Sequence, residues 1–288
     1  MAPEFHLFLP QLRTSPDQLA ARAVNAEAAG FDGIALIDHI WAPMAEHQPM
    51  HEALVTATWI AARTSALRVG HLVLCDAFRH PVQLAKEAIT LDHASGGRFE
   101  LGIGWGSVAS ELNAIGIGAS PTDRVGRLRE TLTVLRQSFT GAALELDGTH
   151  FTVNGPPLQP PPLGRLPIVI GGAGPRTMAL AEFADWWNVP LYALDRVDEI
   201  RHTVGVPLST QHVVALVRAD QNRADVEASA TRRFAAMSPL VANAAELVDY
   251  FGGLGARGVD RFYVWFADLA DPATLAAFGS GVIAPLRS

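Results

Sequence analysis

Residues able to do chemistry gather at a few places in this chain. Asp38 and His39 follow the apolar run IALI directly, where a carboxylate and an imidazole would be poor core but useful at a reactive surface. An imidazole exchanges protons near neutral pH, so His39 is the candidate general acid or base. The segment GIGWGS places Gly104, Trp105 and Gly106 after a second apolar run; bare glycines there let a flat ligand approach the backbone. A third cluster, GGAGPRT, brings Gly171, Gly172, Ala173 and Gly174 just ahead of a helix signal, with Arg176 alongside. Exposed amides at such a place suit a phosphate. A bent strand end, for the first glycine group, and a plain tight turn, for the second, are the structural alternatives. His47 and His51 have the i,i+4 spacing of metal ligands, but Pro49 lies between them and no third ligand pattern follows. The GxGxxG fingerprint of a dinucleotide fold is missing after the first strand.

The elements that must position these residues follow a regular rhythm. Residues 67–106 read as one βαβ unit: an apolar strand at 67–75, a helix opening at Pro81 and stopping at Gly96 and Gly97, and a strand at 99–104. Further strands are expected at 5–9, 33–37, 167–170, 187–190, 212–217 and 261–266. Helices are expected at 16–29, 52–64, 123–139 with Asp123 as its cap, 175–184, 195–203, 224–236, 244–251 and near Thr274. Residues 141–166, with the run PPLQPPPLG, are too rich in proline for helix or central strand and form an extended, irregular excursion before the fifth strand. Eight strands alternating with helices predict an α/β protein, a (β/α)8 TIM barrel in a single domain spanning 1–288. A doubly wound open sheet is the alternative. In a barrel the carboxyl ends of the strands share one face, and all three chemical clusters lie at such ends.

Composition limits what the chain can do. Its 288 residues are 49% hydrophobic and 18% charged, enough for one large core. The net charge of −7 argues against nucleic acid and offers no basic patch to an anionic membrane. A single cysteine, Cys75, forbids a disulfide framework and reads as a small buried hydrophobe in a reducing, cytoplasmic setting. No stretch of about 18 apolar residues suggests a membrane span, so a soluble, unexported protein is expected.

Taken together, the DH pair at 38–39, RHP at 79–81, LDHASGGRFELGIGWG at 91–106, DRVGRLRETL at 123–132, PIVIGGAG at 167–174 and ADWWN at 184–188 resemble the luciferase-like monooxygenases. Within them the chain is most similar to the coenzyme F420-dependent oxidoreductases. The resemblance implies a luciferase-like barrel holding F420, or alternatively FMN, at the carboxyl face of the strands. It implies His39 as the proton-transfer residue, Asp38 as a cofactor-binding partner, and a non-prolyl cis peptide between Leu72 and Val73 behind the redox ring. It also implies that the glycine loop 171–174 holds the cofactor phosphate. The sequence departs from the sugar-phosphate dehydrogenase branch: Trp41, Met44 and Ser107 stand in the corresponding neighbourhoods, and Glu111 fits a more distal helix position. A sugar-phosphate substrate is therefore not expected, and neither is light emission, since the long luciferase insertion is missing.

The function this implies is hydride transfer between C5 of the deazaflavin and a small organic substrate, the protein supplying position and a proton. An FMN-dependent monooxygenase using reduced flavin and dioxygen is the rival enzyme, and a flavin-binding protein without turnover is the rival of another class. A metal-dependent barrel hydrolase lacks its HxH pair in FHLFLP. Only F420 carries an acidic tail beyond its phosphate, for which Arg176 and Arg79 are the candidate rim residues. A separate cofactor reductase or F420-reducing dehydrogenase is the expected partner. The small-residue segments AEAAG and EALVTATWIAART favour a homodimer. The apolar loop residues Ile40, Trp41, Pro43 and Met44 favour a hydrophobic or planar substrate.

Overall fold

The computed structural model describes residues 2–43 and 45–288, Ala235 in its backbone only; Met44, expected at the substrate loop, lies outside the described residues. Strand β1 (Glu4–Phe8) leads through helix α1 (Pro16–Ala28) to β2 (Gly33–Leu36) and α2 (Ala53–Ala61). The expected third strand is split into β3 (Arg68–His71) and β4 (Leu74–Cys75), and the peptide joining Leu72 to Val73 between them is cis, as the resemblance implied. Helix α3 (Pro81–Ser95) has Pro at its first turn and a left-handed Gly96 at its end, and β5 (Phe99–Gly104) follows. After β5 come α4 (Ala109–Ala114), which sequence reasoning lacked, and the long α5 (Pro121–Phe139). The cap of α5 is Ser120, whose side chain accepts from the Asp123 amide; Asp123 sits inside the first turn instead of capping it.

The expected irregular excursion contains a hairpin, β6 (Leu144–Asp147) and β7 (Thr152–Gly155), before the proline run, in which Gln159–Pro160 is cis. Glu130 of α5 accepts the Thr149, His150 and Phe151 amides at 2.8–2.9 Å, so a helix side chain fixes that turn. The chain continues with β8 (Ile168–Gly171), α6 (Pro175–Met178), β9 (Trp186–Val189), α7 (Val197–Val204) and β10 (Leu208–Leu216). It ends with α8 (Arg223–Phe234), β11 (Leu240–Ala242), α9 (Ala244–Ala256), β12 (Val259–Phe266), α10 (Pro272–Phe278) and, after one turn of π-helix, α11 (Ala284–Arg287). Helix α6 is a single turn, far short of the expected 175–184, and β10 begins four residues before the expected 212.

The strands close into a parallel barrel in the order β1, β2, β3 with β4, β5, β8, β9, β10, β12, the last returning to β1. This is the expected (β/α)8 barrel and excludes the open sheet. The lower part of β10 pairs with β9 through Leu208–Thr210, whereas its upper part, from Val214, pairs with β11. The barrel wall therefore opens towards its carboxyl face beside β10.

Side chains fill the interior in layers. At the amino end lies a polar layer, in which Arg261, only 1% exposed, donates to Glu100 and Glu4 at 2.7 Å and stacks 3.8 Å from the Trp186 ring. Gly33 is required here, because a Cβ would approach the His6 ring to 2.5 Å. Above it Phe8, Ala35 and Tyr263 form an apolar layer, against which half-buried Ile37, Leu72 and Trp265 pack. The main core lies outside the barrel, where residues such as Leu19, Ile60, Leu84, Leu128 and Phe251 seal helices onto strands.

Candidate active site

A cavity of about 450 Å³ opens at the carboxyl ends of β2, β4, β5, β8 and β9. Asp38, His39, Leu72, Val73, Gly104, Trp105, Gly106, Gly171, Gly172, Ala173 and Gly174 all line it. Arg176 is exposed and does not, so the basic residue expected beside the glycine loop stands outside the cavity. Thr177, Asn188, Tyr192 and Gln211, which sequence reasoning did not single out, complete the wall together with Glu111.

The residues after β2 are fixed by two carboxylates. Gln11, fully buried, clamps the Ile37 backbone from both sides, its amide donating to the carbonyl at 2.6 Å and its oxygen accepting the N–H at 3.2 Å. Asp38 accepts from the Cys75 amide at 2.8 Å and from both Arg79 nitrogens at 2.5 and 3.2 Å. This bidentate pair joins β2 to the turn after β4, and Arg79 donates onward to Glu52 at 2.7 Å. Arg79 is thus consumed inside the fold and does not serve as a free rim cation for an acidic tail. Asp38 faces the cavity as a carboxylate already neutralised.

His39 is held by Glu111. Its Nδ1 lies 2.9 Å from one Glu111 oxygen, and the other oxygen accepts the Ile40 and Trp41 amides at 2.7 and 3.3 Å. The sequence expectation that Glu111 belongs to a distal helix position is corrected here: α4 begins five residues after β5 and turns Glu111, 8% exposed, back into the cavity. An anionic carboxylate at Nδ1 requires a hydrogen there, which leaves Nε2 as the proton-exchanging atom. Among the described residues Nε2 has no protein partner. The WGSVASE segment held the available signal, an acid shortly after a strand end, but only the α4 turn brings it to His39.

The glycine walls owe their shape to close packing. A Cβ at Gly104 would meet Val73 Cγ2 at 2.7 Å, and one at Gly106, whose φ is +75°, would meet Cys75 Sγ at 2.7 Å. The Cys75 thiol is pushed up to about 12 by burial, which makes it a packing group and not a nucleophile. Behind this wall Arg124 donates to the Gly106 carbonyl and lies 4.8 Å from the Trp105 ring. Across the cavity the 171–174 loop is held by its carbonyls: Trp187 Nε1 donates to Gly172 O and Arg196 donates to Ala173 O, both at 3.0 Å. The Gly172 amide binds the Asn188 carbonyl at 3.1 Å, while the Ala173 and Gly174 amides find no acceptor among the described residues. Since α6 is one turn long, those two free amides, and not a helix dipole, are what this loop offers an anion.

The model of the luciferase-like monooxygenase family matches residues 4–249. The chain belongs to that family. Among curated relatives of this luciferase-like chain, the F420-dependent glucose-6-phosphate dehydrogenase of Mycolicibacterium fortuitum is 33% identical over 166 residues, covering 56% of this chain and 49% of that protein. The enzyme of the same description from Mycobacterium tuberculosis H37Rv is 32% identical over 175 residues, 59% and 51% of the two chains. The chain thus spans about half the length of the curated relatives it matches. Among solved structures, an F420-dependent secondary alcohol dehydrogenase in complex with an F420-acetone adduct superposes with a TM-score of 0.85 over the whole of both chains at 15% identity. The F420-dependent tetrahydromethanopterin reductase of Methanopyrus kandleri gives 0.81 at 17% identity, covering 99% of this chain and all of that one. At those identities the superpositions establish the barrel fold alone.

Proposed function

We propose that the protein is an F420-dependent oxidoreductase in which a hydride moves between the deazaflavin and an organic substrate while His39 moves the accompanying proton. The observation that carries this reading is the single imidazole held by Glu111 through Nδ1, its Nε2 free at a cavity walled by glycine backbone. The residues fit a flat ring bearing a phosphate: Gly104 and Gly106 keep one wall bare, and Ala173 and Gly174 present unpaired amides at the opposite rim. Similarity to F420-dependent dehydrogenases supports the choice of F420 over FMN. When bound, the deazaflavin would supply hydride chemistry at its C5. Glu111 keeps His39 in the tautomer whose Nε2 gives or takes the proton, and Asp38, bonded to Arg79, fixes the backbone from which His39 projects.

The same reading takes in the expected partners: a small organic substrate, a separate F420-reducing enzyme and a cytoplasmic setting. Among the described residues no helix is long and apolar enough to cross a membrane. It also takes in a homodimer. Val55 and Trp59, one turn apart on α2, are 72% and 39% exposed, and Val24 on α1 is 42% exposed, an apolar face that a second copy would cover. Sedimentation of the protein and of Trp59→Glu tests this, with a dimer expected for the first and monomer for the second.

Titration of apoprotein with F420 and with FMN, following ligand fluorescence, tests the cofactor. Binding of F420 that weakens with salt is expected, because the exposed Arg176, outside the cavity wall, would meet its acidic tail in solvent, where salt screens the contact. Micromolar or tighter FMN binding with none for F420 overturns the assignment and favours the monooxygenase.

A further inference from the structure

We propose that the second ligand of this cavity is an uncharged, largely apolar carbonyl compound or the corresponding alcohol, and not a phosphorylated sugar. The inference rests on the function proposed above and specifies its substrate. Among the described residues, the side chains on the cavity wall include no lysine or arginine. The chain's single lysine, Lys86, is spent on the Gln159 carbonyl outside the cavity. Around the site, the exposed Arg176 stands outside the cavity and three guanidiniums are committed to the fold: Arg196 donates to the Ala173 carbonyl and to Glu199. Arg79 is bound to Asp38 and Glu52, and Arg124, 5% exposed, is placed behind Trp105 and Gly106.

Apart from His39, the side chains that face the cavity are acidic, neutral polar or apolar. Asp38 is paired with Arg79 and Glu111 with His39, and the free Ala173 and Gly174 amides are those assigned above to the cofactor phosphate, so this wall offers no donor set for a second phosphate. A neighbouring cavity, beside the upper end of β10, is lined by Asp220, Asp225 and Asp268, so the same face offers no basic route there either. Ile37, Leu72, Val108, Leu112, Pro190 and Tyr192 supply apolar wall. The remaining polar side chains of the lining, among them Ser107, Thr177, Asn188 and Gln211, are uncharged.

Such a site recognises one polar atom and an apolar body. In the reducing direction the carbonyl carbon receives the hydride with its electron pair, and the C=O π pair moves to oxygen. That oxygen takes the His39 Nε2 proton, giving an alcohol. When bound, reduced F420 would supply the hydride and release its second hydrogen as a proton, and His39 Nε2 regains a proton from solvent, so that protons and electrons balance. Alcohol oxidation is the reverse.

The test is calorimetric and needs no turnover. Protein loaded with oxidised F420 is titrated with the 2-alkanones from butanone to heptanone, and with glucose 6-phosphate and inorganic phosphate. Each added methylene is expected to tighten ketone binding about fourfold, the value for burying one CH2 group, with no saturable binding of either phosphate compound. Ile37→Ala is expected to weaken heptanone binding about tenfold. Tyr192→Ala, at a position 80% exposed, serves as the second variant where Ile37→Ala disturbs folding. Saturable glucose 6-phosphate binding at least as tight as that of heptanone, ketone affinity independent of chain length, or unchanged affinity in a folded variant overturns the proposal. Loading is measured first by F420 fluorescence; if only FMN loads, the cofactor assignment fails by itself and the same ligand series on the FMN form still decides the substrate class.

Discussion

His39 and Glu111 form the reactive unit, and their geometry predicts separate effects of mutating each. His39→Ala removes the proton-exchanging group but none of the glycine wall, so F420 affinity should stay within a few-fold while turnover falls by about 10² to 10⁴. Equal turnover in wild type and variant would remove the imidazole from the mechanism. Glu111→Gln keeps an acceptor for the Ile40 amide but takes the negative charge from Nδ1. With its oxygen held by the Ile40 and Trp41 amides, the new amide nitrogen faces Nδ1 as a donor and reverses the tautomer that presents a free Nε2, so kcat should fall while F420 affinity stays within a few-fold. A purely structural Glu111 would lower the amount of folded enzyme and leave kcat per folded molecule where it was.

At the scale of elements, the site is assembled by ties between strand ends that are far apart in sequence. Asp38 after β2 holds Arg79 and the Cys75 amide at the end of β4, and Arg127 of α5 donates to Asp76 at 2.5 Å and to the Arg79 carbonyl at 2.9 Å. The side chains of Arg79 and Asp38 are 13% and 4% exposed, so this pair lies inside the fold. Arg79→Met should leave Asp38 buried without its cation and destabilise the protein by about 3 to 5 kcal/mol. Asp38→Asn, which retains hydrogen bonding to Cys75 N–H, should cost less. Urea denaturation of both variants measures the difference; equal costs would mean that the cation pairing is not what secures the two strand ends.

The whole molecule carries buried imidazoles that tie its stability to pH. Burial pushes His71 down to about 4 and His212 down to about 3, and it lowers His6 as well. Each has a folded pKa below its unfolded value of about 6.5, so the unfolded chain takes up protons first as pH falls. Stability from these groups is complete above about pH 6.5 and is lost as pH drops through 4 towards 3. For His212 alone the loss between pH 7 and pH 4.5 is about 2 to 3 kcal/mol. His212→Gln should flatten the dependence of unfolding free energy on pH over that interval, and a slope identical to wild type would exclude His212 as its source.

Local chemistry written in the chain determined the alternation of strands and helices, the glycine and proline boundaries, and the placing of Asp38, His39 and the glycine clusters at strand ends. Periodicity, caps and breakers act over a few residues, so they can be read without knowing the fold. The partner of His39, the engagement of Arg79, and the polar layer around Arg261 could not be read this way. Glu111 and His39 are 72 residues apart, Arg79 and Asp38 are 41 apart, and Arg261 and Glu100 are 161 apart. The hairpin in the proline-rich excursion also escaped, because the Glu130 side chain that secures its turn lies on the preceding helix. Closure of the barrel decided each of these pairings: a charged side chain acquires its role from what stands beside it in space, and only the assembled strands bring those neighbours together.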